Sequence, residues 1–300
     1  MIQAGERGIQ EYLTEQVRTV DRALNKWVPG EEIPPSSIHK AMRYSLFAGG
    51  KRIRPVLAIA AADAVSDSPD GIEDAAATLE LIHTYSLIHD DLPALDNDDL
   101  RRGRPTCHKV FGEAMAILAG DSLLTLAFEV LSRLERVSAE QKIRMVEELS
   151  RGAGTVGGMI AGQVHDIEGE GKWPNALLLE TIHKAKTGAL LRASVRIGGI
   201  YAGASDAELA SLSEYGEHIG LAFQIVDDVL DVEESSEALG KTAGKDKAQQ
   251  KITFPAVYGI ERSRQMAEEE RRAAHVALRI FDDRATRLRQ LADFIVQRRA

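Results

Sequence analysis

Apolar residues recur at helical spacing along almost the whole chain, and the in–out alternation of a half-buried strand is absent. Ala, Leu, Glu and Arg dominate, all good helix formers. The pattern predicts a first helix over Ile9–Trp27, a loop over Val28–Pro35, and a second helix capped by Ser36–Ser37. Gly49–Gly50 breaks the chain, a helix starts near Lys51 and ends at the Ser66–Gly71 turn, and Ile72–Asp91 forms another that Pro93 stops. Further helices are expected over Phe111–Arg136, over Ala139 to about Glu168 (loosened by five glycines), over Leu177–Ile197 and over Asp206–Val232. Glu233–Lys251 reads as a polar, Lys-rich loop, and Pro255 suits the first turn of a helix. Met266–Gln297 is amphipathic, with a break near Asp282–Asp283. No Pro-, Gly- or Ser-rich linker and no fixed-period repeat divides the chain. The fold class is therefore all-α: one domain over residues 1–300, of about ten helices.

Composition narrows the partners. At 44% hydrophobic and 28% charged, the 300 residues can bury a large core and still dissolve. A net charge of −9 and only 5% aromatic residues argue against general nucleic-acid binding. The single cysteine, Cys107, excludes an internal disulfide and a structural zinc site. The N-terminal segment MIQAGERGIQEYL has no apolar signal core. No run approaches the ~20 apolar residues of a membrane span; the longest candidate, Val56–Val65, contains Asp63. A cytoplasmic protein without a membrane span is expected.

Two acidic clusters carry the chemistry. In HDDLPALDNDDLRRGRPTCHK, Asp90, Asp91, Asp96, Asp98 and Asp99 fall within ten positions, and Arg101, Arg102 and Arg104 follow. Clustered carboxylates suit hard cations such as Mg²⁺, and arginines hold phosphates through paired hydrogen bonds. A solvated acidic turn would look the same by composition alone. In AFQIVDDVLDV, Asp227, Asp228 and Asp231 sit in an apolar helix. At 100° per residue Asp227 and Asp231 lie about 40° apart, with Gln224 on the same stripe. Burying such carboxylates without partners costs several kcal/mol, so bound cations are the economical account. Facing each other across a helix bundle, the clusters could clamp metals and a diphosphate. An EF-hand starting at Asp96 fails, because its sixth position is Arg101 and its twelfth is Cys107. Gly240–Lys241 lacks the context of a phosphate-binding loop.

These two stretches resemble the first and second aspartate-rich motifs of the polyprenyl synthetases, the trans-prenyltransferases. The resemblance covers nearly the whole chain. It includes GGKRIRP at Gly49–Pro55, the segment Glu80–Asp91, GEAMAILAGD at Gly112–Asp121, the segment Gly157–Asp166, KTGAL at Lys186–Leu190 and GKTAGKD at Gly240–Asp246. Within the family the chain looks closest to bacterial farnesyl diphosphate synthases. The resemblance implies an isoprenoid-synthase helical bundle around a central cavity, a homodimer, and head-to-tail condensation of isopentenyl diphosphate with dimethylallyl and geranyl diphosphate.

The resemblance also implies roles. Asp90, Asp96 and Asp227 would hold three Mg²⁺ ions, with Asp91 and Asp231 in support. Arg101, Lys186 and Lys241 would grip the allylic diphosphate. Lys51, Arg54, His83 and Arg102 would hold isopentenyl diphosphate, which does not ionise and needs no metal. Thr187 and Gln224 would set neutral oxygen dipoles beside the carbocation. Tyr85 and Ser86, five and four residues before Asp90, would floor the tail pocket. With four residues between Asp91 and Asp96, this implies a C15 product; a geranylgeranyl (C20) synthase is the alternative and a non-catalytic partner subunit the remoter one. Gln163 and Asp166 are minor candidates. Arg298–Arg299 could be surface charge or help close the site, and His165 has no assigned role.

Overall fold

The helical spacing is realised throughout the residues that the computed structural model describes: 4–67, 69–171, 175–233 and 252–298. By internal contacts the chain forms two compact units, Met1–Val56 with Asp70–Val146, and Leu57–Pro69 with Glu147–Ala300. Helices α3 (Ile53–Val65) and α7 (Ala139–Ala153) each begin in the first and end in the second.

The first unit is built around α4 (Ile72–Asp90), against which α1 (Ala4–Trp27), α2 (Ser36–Leu46) and α6 (Glu113–Arg133) pack. Leu79, Leu81, Ile82, Tyr85 and Ile88 of α4 are buried, and Ala116, Ala119, Leu123, Ala127 and Val130 form the buried stripe of α6. Each buried Leu, Ile or Val among them contributes roughly 1.5–3 kcal/mol, and each alanine methyl about 0.8 kcal/mol. By length and composition alone α6 would pass for a membrane-crossing helix, a test that a core helix packed along one stripe passes equally. A buried charge sits beside the core: Glu80 accepts from Arg52 Nη1 at 2.8 Å, while Arg52 Nη2 donates to the Leu46 carbonyl at 2.7 Å and Nε to Asp21 at 3.0 Å. Arg52 holds a left-handed φ of 49°, a strain of about 1 kcal/mol that these three bonds outweigh.

Strands are nearly absent among the described residues, as expected. The exception is a hairpin pairing β1 (Leu100–Arg101) with β2 (Arg104–Pro105), with Arg101 opposite Arg104. Its turn is Arg102–Gly103, both at positive φ (55° and 73°), the geometry that joins tightly twisted strands. Beyond it, α5 (Cys107–Phe111) is separated from α6 by Gly112, at φ 83°.

The second unit is organised by α11 (Asp206–Glu233). Helix α10 (Ala189–Tyr201), α12 (Phe254–Tyr258), α13 (Ile260–Ala277) and α14 (Thr286–Gln297) pack on it. Tyr215, fully buried, donates its hydroxyl to the Leu288 carbonyl at 2.7 Å. Pro255 lies in the first turn of α12, as predicted. A 3₁₀ stretch over Leu278–Ala285 kinks at Asp282 (φ 46°, ψ −131°), where the break was expected.

Three boundaries differ from the sequence reading. Ser36 is already helical and Pro35 occupies the N-cap with no side-chain bond, so the serine hydroxyls come too late to cap. The run from Ala139 splits into α7 and α8 (Met159–Gly169), because Gly157 turns at φ 68° and Gly158 is extended. The helix expected over Leu177–Ile197 is α9 (Ala176–His183) and α10 with one wide π-turn, Lys184–Gly188, between them.

Candidate active site

In the first unit the acidic stretch is a folded loop at the end of α4. Backbone bonds run from Asp96 N–H to the Asp90 carbonyl at 2.8 Å and from Asp98 N–H to the Asp91 carbonyl at 3.2 Å. Thr106 closes the loop from the far side, its hydroxyl donating to the Asp98 carbonyl at 2.8 Å. Asp90 and Asp96 are half-buried, while Asp91 is buried. Arg101 reaches Asp91 with Nε at 3.0 Å and Nη2 at 2.5 Å. Burial pushes the Asp91 carboxyl above the usual range even though the guanidinium opposes it. Burial acts downward on Arg101, and the Asp91 bond and charge outweigh it, so the guanidinium stays firmly charged. Asp99 is held by Lys109 at 2.7 Å.

Next to this loop lies the predicted basic pocket. Burial first, and then the charges of Arg54, Arg102, Arg101 and Arg52, hold the His83 imidazole well below its ordinary value. His83, Arg54 and Arg102 thus lie close enough for their charges to act on one another. Gly50 makes room for Arg102: a Cβ there would meet its guanidinium at 2.6–2.8 Å. Lys51 is exposed, two residues before α3 begins. A small open cleft with room of only about 30 Å³ is lined by Tyr44, Thr84, Ile88, Asp91, Arg101 and Arg102.

Tyr85 faces the core, edge-on to His89 at 5.8 Å. Its hydroxyl is buried with no hydrogen-bond partner among the described residues. Burial, and then the Asp90 charge, push it up to about 12. The Ser86 hydroxyl donates back to the His83 carbonyl at 2.9 Å.

The second unit carries the other candidates on the π-turn and on α11. Wide turns of this kind are frequent at functional sites. Here the turn holds Lys186 and Thr187 between two glycines. A Cβ on Gly162 of α8 would sit 2.1 Å from the Lys186 nitrogen, and one on Gly220 of α11 would sit 2.8 Å from Gly188 Cα. Lys186 Nζ donates to Asp166 at 2.6 Å, and Thr187 is buried. Gln224 accepts from the His183 ring at 2.9 Å.

The three carboxylates of α11 have different surroundings. Asp228 is buried and accepts the Phe254 N–H at 2.9 Å. Asp231 is buried too. The Asp227 side chain is 47% exposed and is held by Arg298 Nη2 at 2.5 Å. That guanidinium is only 8% exposed. It lies 3.9 Å above the Phe223 ring and also donates to the Phe223 carbonyl at 3.2 Å. Among the described residues, no three His, Cys, Asp or Glu side chains converge into a ready-made metal cluster. Asp227 nonetheless already accommodates a cation.

The polyprenyl synthetase family profile matches residues 35–287 of the chain. A farnesyl diphosphate synthase of Geobacillus stearothermophilus is 44% identical over 292 residues, covering 97% of this chain and 98% of its own length. The large subunit 1 of a heterodimeric geranylgeranyl pyrophosphate synthase of Arabidopsis thaliana is 50% identical, covering 96% and 78%. The crystal structure of geranylgeranyl pyrophosphate synthetase from Pyrococcus horikoshii superposes with a TM-score of 0.88 at 31% identity, covering 97% and 99%. The chain belongs to the polyprenyl synthetase family.

It is thus a trans-prenyltransferase, with the helical fold that the motifs implied. Both acidic stretches lie within the matched span. The structure groups Asp90, Asp96, Arg101, Arg54, His83 and Arg102 in the first unit, and Lys186, Thr187, Gln224 and Asp227 in the second. Lys241 and Arg299 fall outside the described residues. Sequence reasoning missed His183 and left Arg298 without a partner. A histidine three residues before Lys186 carries no periodic signal, and the Arg298–Asp227 pair spans 71 residues.

Proposed function

We propose that this prenyltransferase stops at farnesyl diphosphate, extending dimethylallyl and then geranyl diphosphate with isopentenyl diphosphate. The observation that carries the product length is Tyr85: a buried ring five residues before Asp90, with a hydroxyl that no described neighbour satisfies. Bulk at that point would block a longer tail, and Ser86 beside it adds to the floor. Product chromatography from labelled isopentenyl diphosphate tests the reading. The wild-type protein is expected to give C15, and Tyr85→Ala to shift product to C20 or beyond. Unchanged length in that variant removes Tyr85 from the floor. A C20 product is the second reading, favoured by the many similar relatives named geranylgeranyl pyrophosphate synthase.

In the reaction, the allylic C–O bond breaks and diphosphate leaves with the electron pair. The isopentenyl double bond then attacks the carbocation, and the released diphosphate takes the proton whose loss restores an alkene. Arg101, Lys186 and Lys241 would hold the departing diphosphate. Lys51, Arg54, His83 and Arg102 would hold the diphosphate that stays. Thr187 and Gln224 would set neutral dipoles beside the cation. Asp90 and Asp96 in one unit, and Asp227 in the other, supply hard oxygen donors that fit Mg²⁺. Three such ions, when bound, would neutralise charge developing on the leaving group. The enzyme is taken as a cytoplasmic homodimer. Exposed Ile117 and Leu118 on α6 favour a protein interface, and sedimentation equilibrium tests it.

A further inference from the structure

We propose that His183 is a positioning residue, setting the Gln224 amide and the Asp228 carboxylate relative to the π-turn that carries Lys186 and Thr187. The inference rests on the prenyltransferase roles proposed for those residues. His183 is the last residue of α9, immediately before the turn. Its ring touches α11 at two points one helical turn apart. Nδ1 lies 2.9 Å from Gln224 Oε1, and Nε2 lies 3.4 Å from Asp228 Oδ2, at ion-pair range without hydrogen-bond alignment. One ring face stacks on Phe254, with centroids 5.2 Å apart and planes at 27°. Phe254 is itself tied to Asp228 through its N–H.

A ring hydrogen-bonded at Nδ1, faced by a carboxylate at Nε2 and stacked on one side is restrained against rotation. The amide that it holds loses the torsional freedom a Gln otherwise keeps. A histidine that only filled the core would need one satisfied nitrogen and no particular neighbours. Here both nitrogens meet polar residues on the acidic stripe of α11, and the ring side chain is 9% exposed. Burial pulls the imidazole down, but Asp228 and Gln224, with Asp166 beyond, outweigh it. The net direction is upward from the ordinary imidazole value, as a carboxylate facing Nε2 requires. Asp166, whose charge reaches His183, also holds Lys186, so the π-turn is tied to α8 on one side while His183, at its start, is tied to α11.

Steady-state kinetics with geranyl and isopentenyl diphosphates test this on wild type, His183→Leu, His183→Asn, Gln224→Leu and the His183→Leu/Gln224→Leu pair. His183→Leu keeps packing on Phe254 and removes both polar contacts. It is expected to lower kcat on the order of 10- to 100-fold, as small misplacements of reacting groups do, with the isopentenyl diphosphate KM near wild type. His183→Asn keeps an amide near the place of Nδ1 and should recover most of kcat. The double variant should be no slower than Gln224→Leu alone. Wild-type kcat in His183→Leu, Asn and Leu variants equally slow with matching losses of thermal midpoint, or multiplied losses in the double variant would each overturn the assignment. A wild-type protein that makes no product from the two diphosphates would instead defeat the underlying reading before any variant is compared.

Discussion

The two aspartate clusters use one residue type to opposite effect. In the first, the carboxylates sit on a loop whose backbone folds back on itself, and the side chain turned inward, Asp91, is matched by an arginine only ten residues away. In the second, they sit on one rigid helix, and each takes whatever its face meets. Asp228 meets a backbone N–H across the core, and Asp227 meets a guanidinium from the far end of the described chain. A loop can bring its own cation. A helix does so only through residues three or four positions away, and α11 has no Lys or Arg at those positions around Asp227, Asp228 or Asp231. The helical cluster therefore depends on groups distant in sequence, and Asp227 on one that a metal ion could displace.

The largest expected effect separates the metal candidates from their neighbours. Asp90→Ala and Asp227→Ala should each lower kcat on the order of 10³-fold or more, since on the proposed reading both would remove a metal ligand that stabilises the leaving diphosphate. Asp228→Asn retains an oxygen for the Phe254 N–H and should lose far less. Equal losses at Asp227 and Asp228 in single-turnover rates would erase the distinction between them. Next, Arg101→Ala should destabilise the protein by about 3 kcal/mol in urea unfolding, because Asp91 is left buried and uncompensated. An unchanged urea midpoint would mean that Asp91 finds water or another cation.

A smaller effect tests whether Arg298 holds the place of a cation. Arg298→Gln should tighten Mg²⁺ or Mn²⁺ binding about five-fold in substrate-free calorimetry, since a partly exposed ion pair contributes about 1 kcal/mol. Weaker binding would make Arg298 a support for the metal site rather than a competitor.

The smallest concerns a carboxylate outside both clusters. Asp63 is lifted to about 6 by burial and then by the charge of Asp67. Because its folded pKa lies above the unfolded value, the folded state binds the extra proton, and stability falls as pH rises from about 4 to 6. Allowing for its partial exposure, Asp63→Asn should stabilise the protein on the order of 1 kcal/mol at pH 7 and by nothing below pH 4. Equal effects at both pH values in thermal melts would exclude this cause.

Much of the molecule was legible from its residues. Helical periodicity reports which face of each segment is apolar, and burial in a bundle obeys that face, so element order and the near-absence of strands followed directly. The motif residues were legible as well, because Asp90, Arg101 and Asp227 carry chemistry that an apolar core has no use for. Local chemistry misled where backbone geometry decided: Ser36 was one residue too late to cap, and Gly157–Gly158 ended a helix that its composition would have continued.

What only the tertiary structure decided are the partners. Which of Asp227 and Asp228 turns outward depends on where Phe254 presents its N–H, 26 residues on. That His183 grips Gln224, 41 residues away, depends on the π-turn fitting between Gly162 and Gly220. A sequence states which groups can hydrogen-bond and ionise. The free energy of a buried polar group is set by what lies within about 3 Å of it, and only the folded chain determines that.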